Sequence, residues 1–204
     1  AGTTSGTAIA GAAASGVSFS VPYSGGNGGA HGGQTINSTN ISGLTATLSG
    51  ANFANGAGNV TYNLVGTPSG VGNANFAVNI GGKNCNYTVI VGPGAIGAIN
   101  CGSGTSLGTL TAASAASGVT FTIPYTGGNG GTHAGQTVNS TGVTGLTATV
   151  ATGNFASGNG DLTYVVTGTP ATFGTADFFV NIGGKSCLYS ISVSPALGVI
   201  SALN

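Results

Sequence analysis

The chain has 204 residues, and only 2% of them are charged: Lys83, Lys185, Asp161 and Asp177, with no Arg and no Glu. Soluble domains average about 25% charged residues, and a formal net charge of zero removes long-range repulsion between copies and favours association. The absence of basic clusters argues against nucleic acid and anionic membranes as partners. No apolar run reaches the roughly 18 residues of a membrane-spanning helix, so no membrane insertion is expected, and 40% apolar content separates the chain from disordered sequences.

An internal repeat organises the chain. SGVSFSVPYSGGNGGAHGGQT begins at Ser15 and SGVTFTIPYTGGNGGTHAGQT at Ser117, an offset of 102 residues. The same offset joins ISGLTATL at Ile41 to VTGLTATV at Val143, and NVTYNLVGTP at Asn59 to DLTYVVTGTP at Asp161. It holds without a gap to Pro93 and Pro195. A period of about 100 residues exceeds that of solenoids, roughly 20–45 residues, and matches one whole β-sandwich domain. Two domains are therefore expected, 1–97 and 98–204.

In chain order, the second copy opens with an expected strand near Ser106–Thr111. Val119, Phe121 and Ile123 then alternate with Thr120 and Thr122, as Val17, Phe19 and Val21 alternate with Ser18 and Ser20 in the first copy. This period of two marks a half-buried strand whose outer face carries hydroxyls. The Gly-Gly-Asn-Gly-Gly stretches at 25–29 and 127–131 read as a turn or loop. A short strand is expected near Gln136–Ser140, then strands at Leu146–Val150, Leu162–Val166, Phe178–Ile182 and Cys187–Val193. That makes about seven strands per copy, punctuated by Gly and Pro every 8–12 residues or so, the pattern of a sandwich. The Ala-rich stretches at 12–14 and 112–116 are too short for helices. Pro93–Cys101 reads as a short, partly apolar linker that gives a semi-rigid rod.

The stretch Gly145-Leu-Thr, then Thr167-Gly-Thr-Pro170, then Phe173-Gly-Thr-Ala-Asp-Phe-Phe-Val180 resembles the bacterial immunoglobulin-like repeats. The fuller pattern adds Pro-Tyr-x-Gly-Gly-Asn-Gly-Gly and Gly-Gly-Lys-x-Cys, and is similar to repeats in giant surface proteins of Bacteroidota. The resemblance covers nearly all of both copies. It implies an all-β fold of two tandem immunoglobulin-like β-sandwich domains, a secreted or bacterial cell-surface location, and no catalysis. His31 and His133 depart from that pattern, where Tyr is common.

The inventory of reactive groups points the same way. The first copy contains no acid, one His, one Lys and one Cys, whereas acid–base catalysis needs a positioned pair or triad. No enzyme activity and no cofactor are expected. Calcium needs several carboxylates and zinc needs clustered Cys and His, so no metal site is expected. Lys83 and Lys185 are equivalent, but an isopeptide bond at Lys83 would lack an assisting acid in the first copy. These lysines read instead as guards of the last strand against wrong edge pairing.

Cys85 and Cys187 are equivalent, at the start of each last strand, and Cys101 precedes the first strand of the second copy. In immunoglobulin-like sandwiches part of the first strand often runs parallel to the last, so their starts lie close together. A Cys101–Cys187 disulfide is expected on that basis, with Cys85 paired to a cysteine upstream of Ala1, which would make the chain a window on a longer array. Cys85–Cys101 pairing and free thiols are the alternatives. A bridge implies an oxidising compartment.

The loop carrying Tyr23, Asn27 and His31, with its counterpart Tyr125, Asn129 and His133, is the candidate interaction surface. Tyr and His beside glycine-rich backbone can stack on sugars or contact a neighbouring subunit. The competing view is that both tyrosines fill the sandwich edge and the glycines only make the turn. The leading functional expectation is a structural repeat of an extracellular filament or adhesin whose partners are copies of itself. The alternative is a glycan-binding module, or a spacer on a secreted enzyme.

Overall fold

The structure is a computed structural model that describes residues 2–198; Ala1 and 199–204, the outer ends of the two expected domains, lie outside the described residues. The chain is all-β and divides into two compact units. The first is Ala1–Gly94 with Gly130–Thr132, and the second is Ala95–Asn129 with His133–Asn204. The division at Gly94 places Ala95, Ile96 and Gly97 in the second unit rather than in the first, where the expected boundary after residue 97 put them.

The first unit contains β1 (Thr3–Ser5), β2 (Ala8–Ile9), β3 (Val17–Asn27), β4 (Ala30–His31), β5 (Gln34–Asn37), β6 (Thr39–Asn40), β7 (Leu44–Leu48), β8 (Ala51–Asn52), β9 (Asn55–Gly66), β10 (Gly72–Ile80) and β11 (Lys83–Gly92). β4 and β8 form a separate pair, and the two main sheets run β1-β3-β9-β7-β5 and β2-β11-β10-β6. Their inner faces meet in one core: Phe19, Leu44, Tyr62 and Leu64 come from the first sheet, Ala8, Phe76, Val78, Val89 and Val91 from the second. This is a sandwich-type arrangement, with polar residues on the outer faces of the strands.

The rest of the chain repeats the plan with β12 (Ala98–Ile99), β13 (Thr105–Leu107), β14 (Leu110–Thr111), β15 (Val119–Asn129), β16 (Thr132–His133, of which Thr132 is grouped with the first unit), β17 (Gln136–Asn139), β18 (Thr141–Gly142), β19 (Leu146–Val150), β20 (Gly153–Asn154), β21 (Ser157–Gly168), β22 (Gly174–Ile182) and β23 (Lys185–Ser194). Its sheets run β12-β15-β21-β19-β17, with β13 also on β15, and β14-β23-β22-β18. Phe121 stacks on Tyr164 at 4.8 Å and meets Phe178 at 5.4 Å, as Phe19 stacks on Tyr62 at 4.9 Å and meets Phe76 at 5.3 Å.

Local chemistry sets the hairpins. Ile182 faces Lys185 across Gly183-Gly184, which take φ of 61° and 76°. Two consecutive positive φ values form the two-residue turn whose twist suits a hairpin, and glycine adopts them without a Cβ clash. The expected opening strand at 106–111 is two strands. β13 pairs antiparallel with β15, whereas β14 pairs parallel with β23 in the other sheet. The expected Gly-rich loop is also mostly strand: β3 and β15 continue to Asn27 and Asn129 through a register shift after Tyr23 and Tyr125. Small residues let the backbone bulge there and keep pairing.

Candidate functional site

The loop residues singled out in the sequence come together at one end of each sandwich, around a phenylalanine. The Tyr125 hydroxyl accepts a hydrogen bond from the Ala156 amide at 2.7 Å, and its ring meets Phe155 edge-on at 5.4 Å. Tyr23 repeats this with the Ala54 amide at 2.7 Å and Phe53 at 5.2 Å. His133 lies 4.7 Å from Phe155, and its Nδ1 accepts from the Gly135 amide at 3.2 Å. His31 does the same with Phe53 at 4.7 Å and the Gly33 amide at 3.3 Å. Both histidines thus use Nδ1 as an acceptor. Burial holds the His133 pKa below its ordinary value.

Asn27 and Asn129 differ. Asn27 Oδ1 accepts from the Gly29 amide at 3.0 Å, closing a local turn. Asn129 Oδ1 instead accepts from the Ala95 amide at 2.9 Å, and the Asn129 amide donates back to the Ala95 carbonyl at 3.1 Å. Asn129 therefore grips the segment that the sequence reads as a linker.

That segment is an added strand of the second unit. Ala98 and Ile99 pair antiparallel with Thr126 and Tyr125. The Ile96 amide donates to Gly183, Gly97 to Thr126, and Asn100 to Pro124. Ile96 is only 4% exposed and belongs to the core. Cys101, in the 3-10 turn that follows the strand, is bonded to Cys187, with the Cα atoms 5.9 Å apart. Cys85 is exposed and has no disulfide partner among the described residues; its expected partner lies outside the sequence.

The first unit has the same walls, with no such strand among the described residues. β1 pairs with β3 only over Ser18–Ser20, so the edge beyond it, Val21–Ser24, has no strand beside it on that side among the described residues. Val21, Tyr23, Phe53 and Ile80 are half-buried there, whereas their counterparts Ile123, Tyr125, Phe155 and Ile182 are 0–6% exposed. A groove of about 670 Å³ runs between these residues and Cys85.

No family model matches the chain, and no curated protein matches it. What the site can do must come from its own chemistry. Among the described residues no group of three or more His, Cys, Asp and Glu is placed to hold a metal ion. Asp177 accepts a hydrogen bond from the Ser190 hydroxyl at 2.5 Å, the role that Asn75 plays for Thr88 at 2.8 Å in the first unit. Its carboxylate thus serves as a cross-strand acceptor on the outer face.

Sequence reasoning missed two residues. Gln136 Oε1 accepts both the Tyr164 hydroxyl at 2.8 Å and the Asn181 amide at 3.2 Å, tying one sheet to the other. Gln34 does the same for Tyr62 at 2.6 Å and Asn79 at 3.1 Å. Burial raises the pKa of both phenols, and at Tyr62 the Cys85 thiol adds to the rise. The signal available in the sequence was a Gln placed identically in both copies of a chain with very few long polar side chains.

Proposed function

We propose that the chain is a non-catalytic structural repeat of an extracellular or bacterial cell-surface filament or adhesin that associates with copies of itself. The single observation that carries this is a surface with almost no charge to oppose association, Lys83, Lys185, Asp161 and Asp177 being all the charged residues of the chain. Exposed apolar side chains add to it: Phe179 and Leu188 face each other across β22 and β23 and are 56% and 54% exposed. The disulfide is compatible with an oxidising compartment. The resemblance to Bacteroidota surface repeats supports the same location. No helix among the described residues is long and apolar enough to cross a membrane.

Negative-stain electron microscopy and light scattering test the proposal. Concentration-dependent fibres or oligomers are the expected outcome. A monodisperse monomer at millimolar concentration overturns it.

A further inference from the structure

The strand pair β22–β23 carries an apolar patch that its counterpart in the first unit does not. Phe179 and Leu188 lie opposite each other on the outer face and are 56% and 54% exposed. The same two positions in the first unit are Ala77 and Asn86, also opposite each other. The exposed apolar residue of β10–β11 is Ile90, and it faces Asn73 rather than another apolar side chain. The repeat thus keeps the strands and changes their outer face. A cross-strand pair of this kind supports its own hairpin, and the water it still meets makes it a place for further burial.

The chain has four charged residues, and two of them flank this patch. Asp177 stands two residues before Phe179 on the same face, opposite Ser190, whose hydroxyl donates to Asp177 Oδ1. Lys185 stands at the other end, opposite Ile182, which is three residues after Phe179. It starts from the inner face, beside the Gly183-Gly184 turn. A Cβ built on Gly184 would have nothing within 4 Å, so the turn is open there. The flexible four-carbon stem of the lysine can bring its ammonium to the rim of the outer face. The first unit keeps the lysine as Lys83 but has Asn75 in place of Asp177. Apolar pair and opposite charges therefore occur together only in the second unit.

We infer that the outer face of β22–β23 pairs with the same face of a second copy, about a twofold axis that crosses the strands near the Phe179–Leu188 row. That axis turns the second copy's strands end for end. It lays the two apolar pairs against each other and brings the Asp177 carboxylate of each copy towards the Lys185 ammonium of the other. The order of charge along the face selects a second copy as the occupant. A face that runs acid, apolar pair, base is complementary to itself when reversed. The apolar centre is two side chains from each copy, small against the roughly 800 Å² that each partner buries in a stable interface. The pair is therefore weak, and the uncharged rows beside the patch make up the rest of the contact. A twofold contact closes on itself, so it supplies one junction of an assembly and not a filament on its own. This inference rests on the self-association proposed above and names one of its surfaces.

Sedimentation of the full chain over a concentration series at low salt gives the association constant. Phe179→Ala with Leu188→Asn installs the residues that the first unit carries at these positions. This variant is expected to weaken association by roughly tenfold or more, whereas Ile90→Ser should leave it within about twofold. Asp177→Lys gives a face with two cations and Lys185→Asp a face with two anions, so each variant should associate with itself roughly fivefold or more weakly than the original chain. Mixed in equal amounts, the two should associate as strongly as the original, because each cation then meets an anion. A role confined to one molecule cannot produce that recovery. No recovery on mixing overturns the inference. So does association that ignores the Phe179→Ala and Leu188→Asn changes, or that Ile90→Ser reduces equally. Fibres that persist unchanged in that double variant refute the patch and leave the filament proposal standing. Pairs that form through the patch without growing further do the reverse. A chain that stays monomeric throughout overturns both.

Discussion

Cys101 and Cys187 are bonded across a sequence separation of 86 residues, joining the turn after the added strand to β23. A bridge that closes so long a loop contributes about 4 kcal/mol through the entropy it removes from the unfolded chain. Cys101→Ser with Cys187→Ser is expected to lower the stability of the second unit by about that amount and to leave the first unit unchanged. Denaturant unfolding followed by hydrogen exchange separates the two units. An equal loss in both would contradict the assignment of the bridge to the second unit.

Tyr125 closes the loop of the second unit through its hydroxyl, and the residue is 4% exposed. Tyr125→Phe leaves the Ala156 amide without that acceptor and is expected to cost about 1–3 kcal/mol, the penalty of an unmade buried hydrogen bond. Tyr23→Phe should cost less, because its surroundings are open to water and can replace the bond. Unfolding midpoints of the two variants check the order.

Gly145 takes φ of 94°, and a Cβ there would collide with the Thr169 carbonyl. Gly184 takes φ of 76° with nothing within 4 Å of its Cβ position. Gly184→Ala is therefore expected to cost only the left-handed backbone penalty, about 1–2 kcal/mol. Gly145→Ala should cost clearly more, because the backbone must also move. Thermal unfolding of the pair gives the comparison.

Folding partly buries His133 and lowers its pKa from the ordinary value of 6.5. The unfolded chain then binds the proton more readily than the folded one. The stability contributed by the neutral ring is complete above pH 6.5 and is lost as pH falls through the lower folded value. Unfolding of the second unit should therefore become easier between pH 7 and pH 5, and His133→Gln should flatten that dependence. A second unit more stable at pH 5 than at pH 7 would show the opposite sign.

Much of the sandwich is legible in the sequence, and for a local reason. Alternation of period two at Val119, Phe121 and Ile123 tells which face is buried, because a strand turns each successive side chain to the opposite side. The Gly-Gly pairs mark hairpins because only glycine accepts two successive positive φ values cheaply. The Gln136–Tyr164–Asn181 tie is not legible, because its partners lie 28 and 45 residues from the glutamine.

The sequence by itself determined the duplication, the alternating strands and the near-absence of charge, all of which follow from composition and short-range period. Tertiary structure alone decided what Ala95–Asn100 does. Its apolar residues suit a linker and a strand equally, and the choice depends on a sheet edge and on Asn129, Thr126 and Gly183, residues distant in sequence that only folding brings beside it.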